Sequence, residues 1–425
     1  IRRPPRSTRK ESSAASDVYK RQAYDVGNSA FATTVIAAFF PIFYLEYWAS
    51  DITKIDASIY YNWTIVTVNT MILLTGPIIG SMTDINRSTK NVLVTFTTIG
   101  VVFTGLLYTV DIGAWIYALI FFAIANYSFS ISQIPYDKIL TKITTPNKFS
   151  IVSNQGFAWG YLGGGTLFLI NAMMSIYPSS FGLASQSEAI RVSFLMVSIW
   201  WLVFLIPLYV NFNENKIQQK TVHTFKKSIS NIFTTFKSIY QYKNAFIFLI
   251  AFFLFIDGAH TVIYLASTFA LNLGLETSAI IQALILVQFI AFPATLAWGF
   301  FADRYGDKLV LYITITSYVC IIFYSTTLGS ALEFYLMAAL VGCVQGGIQG
   351  SSRGLFGKLI PEEKAGEFFG LFNVFGKAGA ILGPLMVGSL LAISGNIRIA
   401  LVPIAILFIL GGLLLMRVKE QNEII

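Results

Sequence analysis

The sequence predicts an all-α integral membrane protein with twelve transmembrane helices in two pseudo-symmetric halves of six. Composition is the first reason: of 425 residues 55% are hydrophobic and only 12% charged, with a mean hydropathy of +0.68, whereas roughly a quarter of a typical soluble domain is charged. The second is that twelve mostly apolar stretches can be placed along the chain, each near the ~20 residues that a bilayer crossing needs. The third is a repeat. Gln133, Lys142, Lys148, Gly160 and Gly163 recur as Gln349, Lys358, Lys364, Gly376 and Gly379, each displaced by 216 positions. Likewise Gly80, Asp84, Arg87 and Lys90 are echoed by Gly299, Asp303, Arg304 and Lys308. Self-similarity of this kind marks one membrane-embedded half that has been duplicated.

The spans of the first half centre near Phe39, Leu73, Phe103, Ala123, Gly163 and Leu202, and those of the second near Ile256, Phe289, Ser317, Leu340, Ala380 and Leu407. Lipid offers the backbone no hydrogen-bond partners, so segments of this length must be helical. The halves are thus residues 23–210 and 245–416, joined by a linker over 211–244 and followed by a short tail, 417–425. Within the linker Phe225, Ile229, Phe233, Phe236 and Tyr240 recur at helical spacing, with Lys226, Lys227 and Lys237 largely off that stripe. The pattern predicts a helix lying flat in the headgroup layer, either as a tether or as a docking site. Residues 1–22 begin without Met, are rich in Arg, Lys, Ser and Pro and lack an apolar core, so they are neither a signal peptide nor a span. Their wording resembles a translated sequencing-adapter read-through, the alternative being a disordered basic tail. No function is expected of them.

Loop charges orient the bundle. If both termini are cytoplasmic, the cytoplasmic loops of residues 23–425 carry eighteen Lys and Arg, while the opposite loops carry Lys54, Arg191 and Arg398. The positive-inside rule counts such short loops directly, so both ends and the linker are expected in the cytoplasm. The net charge of +8 then reflects topology and contact with anionic lipid. Its dispersal over many short loops gives no patch for nucleic acid. Cys320 and Cys343 fall inside spans, where they read as small packing residues and not as a disulfide or metal pair. With His223 and His260 as the only histidines, no metal or cofactor site is expected.

Two ionisable residues lie deep in the apolar spans. Asp257 is about twelve residues into the seventh, roughly 18 Å at ~1.5 Å per residue, and Lys377 lies at a similar depth in the eleventh. Each charge costs about 2.5–3.5 kcal/mol at that level even on lenient scales. The expectation is that the two form or exchange an ion pair, with His260 three residues on from Asp257. Burial disfavours the charged acid, so Asp257 would take up a proton whenever its basic partner is engaged elsewhere. A permanent pair that fixes helix register uses the same residues. Asp25, Asn28, Asn126, Tyr161, Gln349 and Asn373 add hydrogen-bonding groups within or beside the spans. Lys377 or Arg353 would receive a carboxylate, Asp257 an amine and the many aromatics an apolar side chain. That set suits an amino acid, and equally many small polar organic solutes. Interhelical hydrogen bonding is the plain alternative, expected for at least half of these residues.

Gly80-Ser81-Met82-Thr83-Asp84 and Gly299-Phe300-Phe301-Ala302-Asp303-Arg304-Tyr305-Gly306-Asp307-Lys308 resemble the signature loop of the major facilitator superfamily. The first copy departs from that pattern at Ile85 and Ser88. Further motifs resemble the branch that holds the fungal vacuolar amino-acid effluxers and their bacterial relatives: Tyr24-Asp25-Val26-Gly27-Asn28-Ser29-Ala30-Phe31, Gly160-Tyr161-Leu162-Gly163-Gly164, Asp257-Gly258, Gln345-Gly346-Gly347-Ile348-Gln349 and Phe368-Phe369-Gly370-Leu371-Phe372-Asn373-Val374-Phe375-Gly376-Lys377. In the first, Val26-Gly27 stands where Trp-Ala is usual.

The resemblance implies the major facilitator fold, a monomer in the inner membrane of a prokaryote, and alternating access about a site near the midplane; protonation of Asp257 is expected to couple proton movement to that of the solute. It also implies that the fifth and eleventh helices contact the opposite half. The glycines at 156, 160, 163 and 164, and at 370, 376, 379 and 383, are then sliding seams or simply tight packing. By the same resemblance Gly80, Asp84, Arg87, Gly299, Asp303 and Arg304 form a cytoplasmic latch, unless the basic residues serve topology alone. A secondary carrier is the expected class. A receptor of the same fold is the alternative. An enzyme would need clustered nucleophiles, metal ligands or paired acids, and ATP-driven transport a Walker-type loop; the sequence shows neither.

Overall fold

Apolar runs of this length can satisfy their backbone only internally, and eleven of the twelve predicted centres fall within helices. The twelfth, Ala380, lies outside the described residues. The computed structural model describes residues 6–85, 89–143, 149–211, 239–361, 365–378 and 381–419. Arg87 falls outside them. So do the side chains of Asp84, Asn373 and Lys377, and the surroundings of Gly80, Gly370 and Gly379. Most of the linker stripe lies outside them too, and its last member, Tyr240, is exposed.

The first span runs over Val18–Trp48. It begins in α1 (Arg6–Ala30), widens into a π-helical stretch over Phe31–Phe39, returns briefly as α2 (Phe40–Phe43) and widens again over Tyr44–Trp48. α1 runs unbroken across the boundary expected at residue 22. Then follow α3 (Lys54–Ile85), α4 (Thr89–Leu106), α5 (Trp115–Ile143), α6 (Phe149–Ile176) and α7 (Gln186–Asn211). The second half comprises α8 (Lys243–Asn272), α9 (Thr277–Tyr305), α10 (Asp307–Ser325), α11 (Ala331–Leu359), α12 (Ala365–Ala378), α13 (Leu382–Ser394) and α14 (Ile397–Met416). Among the described residues nine helices are long and apolar enough to cross a membrane, and all regular structure is helical. The other predicted spans correspond to α3, to α6 and to the two-piece α12–α13. Pro135, Pro207, Pro293 and Pro403 sit inside helices, as membrane helices tolerate. The signature-loop Gly306 joins α9 to α10 with φ of 92°, a conformation that excludes a side chain at little cost only in glycine.

The halves meet reciprocally. The fifth span, α6, packs against α9 and α11, the eighth and tenth; the eleventh, α12–α13, packs against α3 and α5, the second and fourth. Contacts across the seam therefore obey the duplication read from the sequence.

The glycine stripes take a different place from the one expected. A side chain at Gly156, Gly160, Gly163 or Gly164 would strike Asp25, Ser29 or Val26 of the first span, in the same half. One at Gly376 or Gly383 would strike Phe252, Thr261 or Asp257 of α8, again within one half. Small-residue spacing says that a helix comes close, not which helix. Across the seam stand other glycines: Gly165 against Gln288, and Gly388 against Asn62. Cys320 and Cys343 are both free and exposed on outward faces, so they pack no protein core.

Candidate functional site

Both halves contribute to a central cavity of about 290 Å³. Its walls come from the first span, α3, α5 and α6 on one side and α8, α9, α11 and α12 on the other, while α4, α7, α10 and α14 add nothing. On α11 the lining changes character along the helix. Phe334, Met337 and Val341 lead to Gln345, Gln349 and Arg353, each step close to one turn. The cavity is apolar at one end and polar at the other.

The polar end is built from equivalent turns of α5 and α11. Gln133 and Gln349, a repeat pair in the sequence, both line it, as do Asp137 and Arg353 one turn further on. Arg353 Nη2 donates to Asp137 Oδ1 at 3.2 Å and Nη1 donates to Ser153 Oγ at 3.0 Å. Its guanidinium also lies over the Phe157 ring, 5.3 Å from the centroid. These bonds join α11 of the second half to α5 and α6 of the first. Arg21 reaches Asp137 more loosely, at 3.9 Å, and stacks over Tyr136 at 4.3 Å. Arg21 is buried and lines the cavity, contrary to the expectation that residues 1–22 stand apart from the bundle. Helix propagation from Ala30 carries it there.

Asp25 accepts a hydrogen bond from Tyr136 Oη and lies against Gly156, where a side chain would approach its Oδ2 to 2.5 Å. Asn28 Nδ2 and Gln133 Nε2 have no hydrogen-bond partner among the described residues. Buried donors of this kind call for a polar ligand or water.

Of the residues expected at the site, Asp25, Asn28, Tyr161, His260, Gln349 and Arg353 line this one cavity. Asn126 stands behind the wall, accepting from the Tyr264 hydroxyl at 3.3 Å. Asp257 is fully buried and is not among the lining residues. Its Oδ2 accepts from the Leu382 N–H and its Oδ1 from the Gly383 N–H, both at 2.8 Å, and Thr261 adds a bond at 3.3 Å. The acid therefore caps the start of α13, where the helix's free N–H groups and dipole favour an anion.

In the signature loop Asp303 and Arg304 are exposed and make no ion pair among the described residues. The acid of that loop that does is Asp307, to Lys358 at 2.7 Å. Gly299 belongs to the seam, facing Asn154 of α6.

Tyr136, Asp137 and Ser153 were not anticipated. Asp137 had a signal available, since shifting Arg353 back by the 216-residue repeat lands on it. Tyr136 and Ser153 carry no such mark, because one aromatic or hydroxyl among many in a span reads as packing.

Two helical halves that share one cavity define a membrane transporter of the major facilitator class. Solved structures agree on the fold. A mutant of the nucleoside transporter NupG superposes with a TM-score of 0.65 at 14% identity, covering 95% of this chain and 100% of that one. A bacterial homolog of the human lysosomal transporter Spinster gives 0.62 at 13% identity, with 96% of each covered. The chain belongs to the vacuole effluxer Atg22-like family, whose profile matches residues 141–424. The MFS-type transporter YxiO of Bacillus subtilis (strain 168) is 32% identical over 402 residues, 94% of each chain. Autophagy-related protein 22 of Yarrowia lipolytica is 28% identical over 304 residues, 64% of this chain and 51% of that one. This chain thus aligns with about half the length of that fungal relative. YxiO and both solved structures are named as transporters, and the family as an effluxer family.

Proposed function

We propose that the chain is a secondary active carrier that moves a small polar, amino-acid-like solute by alternating access between its halves, coupled to protons. The observation that carries this reading is the cavity, shared between the halves, charged at one end and apolar at the other. A zwitterion with an apolar side chain matches both ends. Arg353 would meet its carboxylate, Asn28 and Gln133 would supply donors now without partners, and Ile36, Ile263 and Met337 would surround its apolar part.

Bonds across the seam on both sides of the cavity support alternating access, since each holds the two halves together at one face. Toward the face of Arg304 and Lys358 the closure is Arg353 with Asp137 and Ser153. Toward the face of Lys54 it is Asn272 Nδ2 donating to Ser58 Oγ at 3.0 Å, the Tyr61 hydroxyl donating to the Tyr264 carbonyl at 3.4 Å, and Ser267 Oγ donating to the Ala37 carbonyl in the π-helical stretch. Widened helical stretches of this kind are frequent at functional sites.

Proton coupling falls to buried acids. Asp25 is in the cavity wall, and Asp257 holds the interrupted eleventh helix, three residues before the cavity residue His260 on the same helix. The basic loops favour cytoplasmic termini in a bacterial plasma membrane. The test is uptake of radiolabelled amino acids into proteoliposomes with and without an imposed pH gradient. Uptake no greater than in protein-free liposomes rejects the amino-acid-like solute, and uptake indifferent to the gradient rejects proton coupling.

A further inference from the structure

We propose that Asp137 is a resident stand-in for the solute: it holds Arg353 across the seam until an anionic group in the cavity replaces it, and that exchange releases this face. The release step rests on the amino-acid-like reading above. The lock itself does not.

Guanidinium is always charged and presents donors in a rigid fork. Here it is largely buried between the halves, with one arm on Asp137 Oδ1 and another on Ser153 Oγ. Both acceptors belong to the first half, and Arg353 to the second. Parting the halves at this face must therefore break both bonds at once. Doing so without a replacement anion gives up both hydrogen bonds of a charged group and returns only water to it. The Arg21 contact to Asp137 does not share this property, because both residues lie in the first half.

The release follows from where the pair sits. Asp137 and Arg353 both face the cavity, so a carboxylate arriving from inside reaches the same fork. Once it binds, Arg353 keeps a charge-assisted partner that travels with it. Asp137 stays behind. An anionic solute thus gains affinity in the parted state that a neutral analogue lacks, and a ligand shifts a conformational equilibrium only through such a difference. The empty carrier stays shut at this face.

Thiol labelling tests the lock. In a Cys320→Ser, Cys343→Ser background, Gln345→Cys places a thiol in the cavity wall, behind Arg353. Vesicles exposing the face of Arg304 and Lys358 are treated with a membrane-impermeant thiol reagent and no solute. Asp137→Asn and Arg353→Gln are each expected to raise the labelling rate about tenfold or more, the population shift that follows loss of one charge-assisted hydrogen bond. The double variant should label no faster than either single one, since coupled residues are not additive. An unchanged rate in both singles, or a double variant at the product of the two effects, overturns the lock. If Asp137→Asn is not recovered from membranes, the exchanged pair Asp137→Arg with Arg353→Asp decides: slow labelling supports the lock and fast labelling overturns it.

Release is tested on the protein with both charges intact, using an equimolar mixture of the twenty amino acids and the matching mixture of their carboxamides. The acids should accelerate labelling, the amides should not, and the acceleration should vanish in Arg353→Gln. Equal acceleration by both mixtures, or by neither, overturns release by the anionic group. Uptake of the acid mixture by that protein separates the two failures: uptake without acceleration sinks the release alone, and no uptake sinks the amino-acid reading beneath it.

Discussion

Asp137 and Arg353 occupy equivalent positions of the duplicated halves, 216 residues apart, and bond to each other at 3.2 Å. A pseudo-two-fold axis carries each position onto its counterpart, so two counterparts in contact must straddle that axis. Identical charges there would repel. Opposite charges turn the point of closest self-approach into a bond, and any rocking of one half against the other at this face lengthens it directly.

Asn154 fills a socket on the opposite half. A side chain at Gly350 would stand 1.7 Å from its Oδ1, and Gly299 flanks it. Gly350→Ala should therefore destabilise the protein by about 1–3 kcal/mol, the usual range for overpacking, and Asn154→Ala should recover most of that loss in the double variant. Thermal unfolding in detergent measures both, and an undiminished loss in the double variant would contradict the socket.

Two glycines of α6 separate a side-chain neighbour from a backbone one. A methyl at Gly160 meets the Ser29 hydroxyl, whereas at Gly164 it meets the Ser29 carbonyl group and the Ala30 nitrogen. Hydroxyls rotate and backbone does not. Gly160→Ala should be the milder change and be rescued by Ser29→Ala, while Gly164→Ala should stay impaired with or without that second change. Expression and thermal unfolding of the four variants give the comparison.

Asp257→Asn keeps the shape of the side chain but replaces one acceptor oxygen with an amide facing an N–H of α13. The unsatisfied donors should cost about 1–3 kcal/mol, seen as a lower unfolding temperature. If Asp257 also carries protons, gradient-driven uptake should disappear while solute exchange persists. Undiminished driven uptake would leave the residue as a helix cap and nothing more.

Tyr136→Phe removes the hydroxyl that donates to Asp25. A hydrogen bond to a charged group is worth about 1.5–3 kcal/mol. The variant should lose stability by about that amount, with the ring's packing kept, and show a lower rate of gradient-driven uptake in proteoliposomes. Normal rates would remove Tyr136 from the coupling scheme.

The sequence alone determined the all-helical membrane class, where the helices fall, and a few of the residues that line the cavity, such as Asp25, Gln349 and Arg353. Each of these follows from one-dimensional quantities: apolar run length against bilayer thickness, loop charge, and the repeat interval that pairs Gln133 with Gln349. Asp137 could have been read the same way. Only the tertiary structure decided that the stripe from Gly156 to Gly164 faces the first span of its own half, that Asp257 caps a helix start outside the cavity lining, that Arg21 reaches the wall, and that Arg353 spends its charge on Asp137. Spacing along a chain shows which residues share a helix face. Which neighbour that face meets depends on how several helices pack at once, and local periodicity carries no record of it.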